Sequence, residues 1–400
     1  MGISSQVMRD LNRIVVVGAS LAGLRAVQAL RAEGFEGDVT LIGAEAHSPY
    51  NRPPLSKSVL NGDDDVSLPG AEQLDDGWLR GRTAVALRLA EQSVVLDDDT
   101  VIPYDGLVVA TGARPRRLKN HPSGVHTLRT VDDALTLRAA LGAGHDRVTV
   151  VGGGFIGGEV ASTARRLGLA VTLVDPGPYP MSGTLGEQVS RWLAGHHERH
   201  GVELVPGTRV VSFDGGDRVT AVRLSDGRTL PATLVVAALG VEPGTDWLEG
   251  SGLKLDDGVV CTSSLFAEGT TTVVAAGDVA RWPHDLYGGT PVRVEHWSNA
   301  NEQGAVAARN LLAGPDAARP YAGIPSFATT AHGARIQTAG LPHLADEERV
   351  VDGSPADDRF TVAFLKEGVL VGAVAVNAPK ELMRLRNGIA ARASLDALTT

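Results

Sequence analysis

Residues 148–174 read VTVVGGGFIGGEVASTARRLGLAVTLV. A β-branched run, a glycine turn, a helix-permissive stretch and a second β-branched run follow one another, the order strand, turn, helix, strand. The turn Gly152-Gly153-Gly154-Phe155-Ile156-Gly157 matches the dinucleotide pattern of spaced glycines, and it follows a strand and opens a helix. Gly152 permits the tight turn, Gly154 lets backbone approach a pyrophosphate, and Gly157 lets the helix pack against the strand. The helix N-terminus then faces the phosphate charge. Asp175 ends the second strand, where a carboxylate accepts hydrogen bonds from adenosine ribose hydroxyls and repels a 2′-phosphate. Pro176-Gly177-Pro178-Tyr179 supplies no arginine to hold such a phosphate, so NADH is expected rather than NADPH.

Working outward, the same unit occurs earlier: IVVV at 14–17, the turn Gly18-Ala19-Ser20-Leu21-Ala22-Gly23, a helical stretch from Leu24 to Arg31, and VTLI at 39–42. Ser20 replaces the middle glycine, a substitution small enough for close backbone approach, and its hydroxyl can donate to phosphate. Glu45 is the equivalent of Asp175, after a longer gap. Each unit is answered downstream by apolar strands that end in small residues: LVVATGARP at 107–115, VVAALGVEP at 235–243 and TVVAAGDVA at 272–280. The pattern gives an α/β fold with two Rossmann-like dinucleotide-binding domains, the second inserted in the first, plus a small α+β C-terminal domain. The expected divisions are 1–115 with 245–320, then 116–244, then 321–400.

A chain of 400 residues with 43% apolar content can bury several cores. Met1–Asp10 lacks a charged-then-apolar leader pattern, and no apolar run reaches the roughly 18 to 20 residues that span a bilayer; a cytoplasmic protein is expected. The net charge of −10 lacks the basic footprint of a nucleic-acid binder. Cys261 is the only cysteine, which excludes an intramolecular disulfide, a paired-cysteine redox centre and an all-cysteine metal site. Redox chemistry here therefore needs a borrowed cofactor. The acidic runs Asp63–Asp65 and Asp97–Asp99 read as solvated turns. His196, His197 and His200 miss the zinc-helix spacing by one residue and read as a solvated helix face, so no metal is expected.

Six motifs in order give the chain a resemblance to the NADH-dependent ferredoxin, rubredoxin and putidaredoxin reductase family of oxygenase systems, which has the glutathione-reductase fold. They are the turn at 18–23, PYNRPPLSK at 49–57, ATGARP at 110–115, GGGFIGGE at 152–159, AGDV at 276–279 and EHWSNA at 295–300. The resemblance covers essentially the whole chain. It implies FAD in the first module and NADH in the second. FAD would be held by Gly18, Ser20, Ala22, Gly23, Glu45, Arg52 at the diphosphate, Thr111, Gly112, Ala113, Asp278 at the ribityl chain, and Glu295, His296 and Trp297 over the pyrimidine end. NADH would be held by Gly152, Gly154, Phe155, Ile156, Gly157, Asp175 and Gly240. It also implies that Lys57 and Glu159 meet beside flavin and nicotinamide, where a cation favours the anionic reduced flavin and a carboxylate offsets the cost of burying the ammonium.

The implied activity is hydride transfer from NADH to FAD and then single-electron transfer to a ferredoxin-type iron–sulfur partner, in a monomer or weak homodimer. One segment departs from the family. Where the family carries tryptophan-serine-aspartate-glutamine after proline-serine-phenylalanine, this chain has Ala328-Thr329-Thr330-Ala331-His332-Gly333 after Pro325-Ser326-Phe327. That departure concerns the electron exit, and keeps two alternatives: an NADH oxidase or quinone-type reductase, and a slow flavin redox sensor. His332 reads as a solvated or capping loop residue, with a proton donor or flavin contact as the alternative. Lys380, Arg384, Arg386 and Arg392 form a positive patch that would either steer an acidic ferredoxin or sit as cations near a helix C-terminus.

Overall fold

The computed structural model describes residues 11–74, 77–119 and 121–398. The leader reading of Met1–Asp10 lies outside the described residues. Six α-helices occur among them: α1 (Leu21–Ala32), α2 (Val131–Leu141), α3 (Phe155–Arg166), α4 (Ser182–Arg199), α5 (Trp297–Ala313) and α6 (Pro379–Ala390). The chain divides into two compact units. The first holds the described residues up to Asn51 with Ser67–Arg114 and Glu242–Pro325; the second holds Arg52–Val66, Pro115–Val241 and the residues from Ser326 onward.

The first unit is built on a five-stranded parallel sheet in the order Val273–Ala275, Gly106–Val109, Arg13–Val17, Asp38–Gly43, Trp78–Arg80. A parallel sheet covered on both faces needs continuous apolar strands rather than alternating ones. Ile14, Val15, Val16, Leu107, Val108, Val109, Val273 and Val274 are correspondingly buried. α1 connects two neighbouring strands of this sheet, in register Ile14↔Val39 and Val16↔Leu41.

The second unit repeats the plan with strands Val202–Val205, Ala170–Val174, Arg147–Val151, Val235–Ala237 and Val125–His126, again all parallel, with α3 as the first crossover. α2 begins in a full capping box, in which the Thr130 hydroxyl accepts from Asp133 N and the Asp133 carboxylate accepts from Thr130 N. The same unit contains the antiparallel C-terminal sheet, ordered Ser326–Ala331, Ala334–Gly340, Val369–Val376, Arg359–Lys366, Glu347–Ser354, with α6 packed on it. This is the expected small α+β module.

α4 is broken at Gly186, whose φ of 75° no helix residue adopts. The helix restarts there under a carboxylate from the C-terminal sheet: Glu348 accepts from the backbone of Glu187 at 3.0 Å and of Gln188 at 2.9 Å. Farther along the same helix, Asp358 accepts from Trp192 Nε1 at 2.6 Å and from Arg199 at 2.8 Å. Among the described residues no helix is long and apolar enough to cross a membrane.

Candidate functional site

In the first unit, four of the six motifs converge. Gly18 has φ +115°, and a Cβ there would lie 2.1 Å from the Ala110 carbonyl oxygen, so the turn closes directly on the strand that carries Thr111. Thr111 Oγ1 donates to Gly244 O at 2.7 Å, which fixes the Thr111-Gly112-Ala113 bend. A Cβ on Gly277 would be 3.2 Å from Ala22 Cβ and 3.5 Å from Ala300 Cβ, so the Gly277-Asp278 turn meets both the first glycine turn and the start of α5. Gln303 Oε1 accepts from Gly277 N and locks that turn to α5. Arg293 bridges Glu295 at 2.7 Å and Asp257 at 3.1 Å, and also donates to Asp278 O. Glu45 accepts from the Tyr50 hydroxyl at 2.6 Å.

These residues fit a dinucleotide. Ser20 is the N-cap of α1 without capping it, so the first backbone N–H groups of α1 point at the turn without a side-chain acceptor from that position. The N-cap of α5, His296, likewise makes no side-chain cap, and Trp297 beside it is 43% exposed. An uncapped helix start next to an exposed ring suits an anion joined to a planar heterocycle.

In the second unit the full glycine turn has the same construction. Gly152 has φ +99°, and a Cβ would meet Ala238 O at 2.2 Å; Gly154, the N-cap of α3, has no atom within 4 Å of a Cβ position. That space is open to the close approach of a phosphate. Asp175 already accepts from Gly153 N at 2.6 Å and Gly177 N at 2.8 Å, which orients its carboxylate at the strand end. A carboxylate offers about four acceptor sites, so ribose hydroxyls can still be received. Ile156 is 40% exposed, Phe155 packs edge-on to Phe327 with centroids 4.0 Å apart, and Gly240, with φ +82°, is exposed beyond the Val235–Ala237 strand.

Arg52 and Lys57 belong to this unit. Arg52 donates to Arg129 O at 2.6 Å. Lys57 Nζ lies 2.6 Å from Glu159 Oε1 and donates to Pro53 O at 3.0 Å, so the sequence-expected pair does meet. Glu159 is 6% exposed, on the first turns of α3, whereas Lys57 is 30% exposed. Sequence reasoning missed the rest of the carboxylate's environment: Ser56 Oγ donates to Glu159 Oε2, and Thr329 Oγ1 donates to Oε1 at 2.5 Å. Thr163 Oγ1, one turn along α3, donates to Ser56 O at 3.0 Å. A buried anion costs several kcal/mol unless its acceptors are filled, and here three donors fill them.

The histidine reading is corrected. His196 and His197 are buried, at 5% and 0% exposure, beneath the turn that follows Ser326–Ala331. His197 Nδ1 and His332 Nε2 are 2.9 Å apart, one donating and the other accepting; His196 Nε2 contacts Ala331 O; His200 and His332 stack at 4.5 Å. The solvated-face reading holds for His200, which is exposed; His196 and His197 are covered by the C-terminal sheet. His332, with φ 48°, is pinned by its own N–H to Ser162 Oγ at 2.8 Å. Burial, followed by the neighbouring histidines, pushes His197 down to about 4, and the same causes with Arg165 push His332 down to about 3. Among the described residues no group of three or more His, Cys, Asp or Glu could hold a metal ion. Burial pushes the Cys261 thiol up to about 12, far from thiolate reactivity.

The positive patch is also redrawn. Lys380 lies in the first turn of α6, no basic residue lies in its last turn, and Arg384 pairs with Glu381 and donates to Leu398 O. Of the four, only Arg392, just past the C-cap Ala391, sits at the helix C-terminus; Lys380 and Arg384 do not.

The pyridine nucleotide-disulphide oxidoreductase family model matches residues 12–304, and the reductase C-terminal model matches residues 327–399. The chlorobenzene dioxygenase ferredoxin reductase component of Cupriavidus sp. is 36% identical over 96% of this chain and 93% of its own length. The biphenyl dioxygenase system ferredoxin–NAD(+) reductase component of Paraburkholderia xenovorans is 34% identical over 97% and 95%. Among solved structures, the reductase chain of a covalent putidaredoxin reductase–putidaredoxin complex superposes with a TM-score of 0.89 at 32% identity, over 97% of this chain and 95% of that one.

Proposed function

The chain belongs to the pyridine nucleotide-disulphide oxidoreductase family, and from that premise we propose that it is an FAD-containing reductase that oxidises NADH and delivers single electrons to a ferredoxin-type iron–sulfur protein serving an oxygenase. We assign FAD to residues 1–115 with 245–320, NADH to 116–244, and a separate C-terminal domain to 321–400, in a cytoplasmic monomer or weak homodimer. The bound flavin would supply the exchange between a two-electron donor and a one-electron acceptor.

The observation that carries this reading is the duplicated turn. Two parallel sheets each end in a positive-φ glycine, and each turn opens onto a helix whose start has no side-chain cap. The chain thus offers two places for a pyrophosphate, and its lone cysteine is buried, so a disulfide relay is unavailable despite the family's name. The full-length likeness to dioxygenase reductase components supports the iron–sulfur acceptor. In this reading Asp175 holds the NADH ribose and Gly154 admits its pyrophosphate. Arg52 neutralises the FAD diphosphate, Asp278 receives the ribityl hydroxyls, and Lys57 stabilises negative charge on the reduced ring.

Anaerobic stopped-flow tests it. The purified protein is reduced with one equivalent of NADH and mixed with a [2Fe–2S] ferredoxin or, separately, with oxygen. Rapid reoxidation by ferredoxin is expected. Rapid reoxidation by oxygen alone would make the protein an oxidase, and slow reoxidation by both would make it a redox sensor.

A further inference from the structure

The segment in which this chain departs from its family is the one that reaches Glu159. Thr329 sits on the Ser326–Ala331 strand, buried, with its hydroxyl 2.5 Å from Glu159 Oε1, the same oxygen that lies 2.6 Å from Lys57 Nζ. Ser56 fills the other oxygen. A hydroxyl has one proton to donate, and both hydroxyls spend it on this carboxylate.

The strand that carries Thr329 is itself held in three places. His332 N donates to Ser162 Oγ, one turn beyond Glu159 on α3; the His197–His332 ring contact ties it to α4; and Ala331 O meets His196. Phe327, two residues before Thr329, packs on Phe155 at the opening of α3. Strand, α3 and the Arg52–Val66 segment therefore share one carboxylate.

We propose that Thr329 is a positioning residue: its hydroxyl, delivered by the C-terminal sheet and clamped through His332, holds Glu159 in the one rotamer that keeps Lys57 aimed. The inference rests on the reading that Lys57 and Glu159 act beside flavin and nicotinamide. Charge-assisted hydrogen bonds are the stronger kind, and removing the Thr329 bond leaves a lone pair of buried Glu159 Oε1 unfilled beside Lys57 Nζ. The carboxylate then turns toward its remaining donors and draws Lys57 with it.

The test uses the FAD-loaded protein carrying Thr329→Val, which keeps the branched shape without the hydroxyl, and Thr329→Ser, which keeps the hydroxyl. Thr329→Val should slow flavin reduction at saturating NADH by about tenfold, the effect of losing one such bond, with the Kd for NADH unchanged. Thr329→Ser should restore the rate. A second readout is independent of turnover: the ¹³Cδ resonance of Glu159 should shift or split in Thr329→Val and return in Thr329→Ser. An unmoved resonance in a folded Thr329→Val protein would overturn the proposal. Lys57→Met separates it from the reading beneath it. If the resonance moves in Thr329→Val while Lys57→Met reduces at the wild-type rate, the positioning contact stands and the catalytic role of the pair fails.

Discussion

Acidification below about pH 6.5, where an exposed histidine takes up its proton, should loosen the C-terminal sheet from α4. In the folded protein His197 titrates near 4 rather than at its ordinary 6.5, because it is fully buried and faces other titratable rings. His196, His200 and His332 surround it, with Arg165 beside His332, Arg199 beside His196, and Asp358 as the facing anion. An opened chain takes up a proton as pH falls below 6.5, whereas the closed one refuses it until about 4. The contribution is thus intact above 6.5 and is lost progressively down to about 4. At ~1.4 kcal/mol per pH unit, the full loss is about 3 kcal/mol from His197 alone. Native-state hydrogen exchange of the Ser326–Ala331 strand, followed from pH 7.5 to 4.5 after correction for intrinsic rates, reads this opening without requiring the whole chain to unfold as one. The wild-type opening free energy should fall by about 3 kcal/mol between pH 6.5 and 5, His197 and His332 contributing about equally. His197→Asn, which keeps a polar atom near the Nδ1 position, should lower the absolute stability but flatten that slope by about half, the remainder coming from His332. An equal slope in wild type and variant would refute the assignment of the pH dependence to this cluster.

Two further outcomes follow from the second glycine turn. Gly154→Ala introduces a methyl that meets no protein atom within 4 Å, so thermal stability and flavin content should hold while NADH binding weakens about tenfold or more. Gly157→Ala places its methyl 1.8 Å from Gly152 O and should instead lower the melting temperature, which calorimetry would separate from a binding defect. Asp175→Asn keeps an acceptor for Gly153 N but removes the charge that repels a 2′-phosphate; kcat/KM for NADPH relative to NADH should rise about tenfold, measured by initial rates.

What could be read from the sequence and what could not divide along the range of the interactions. Both glycine turns were legible because a strand, a positive-φ glycine and an uncapped helix start are local requirements, satisfied within a dozen residues. The Lys57–Glu159 contact, 2.6 Å across 102 positions, was implied by the family resemblance and not by local pattern. Thr329 carries no local signal, because a threonine in a strand-like run reads as ordinary β propensity. His196 and His197 depart from the solvated-face expectation for a related reason. Spacing along a helix says which residues share a face, but the element that covers the face lies 135 residues away, between His197 and His332. No periodicity within α4 carries that information.

The restart of α4 at Gly186 has a bearing on how such reductases can be recombined. A helix packed with the second parallel sheet takes the acceptor for the N–H groups at its restart from Glu348, and an anchor for Trp192 and Arg199 from Asp358, both far along the sequence. A crossover placed at the start of the Ser326–Ala331 strand, where a homology boundary invites it, would graft a foreign sheet onto a helix written for this one. The unit that can be exchanged intact is therefore larger than the C-terminal domain, and a chimera that carries Ser182–Arg199 along with its own sheet keeps both halves of the bargain.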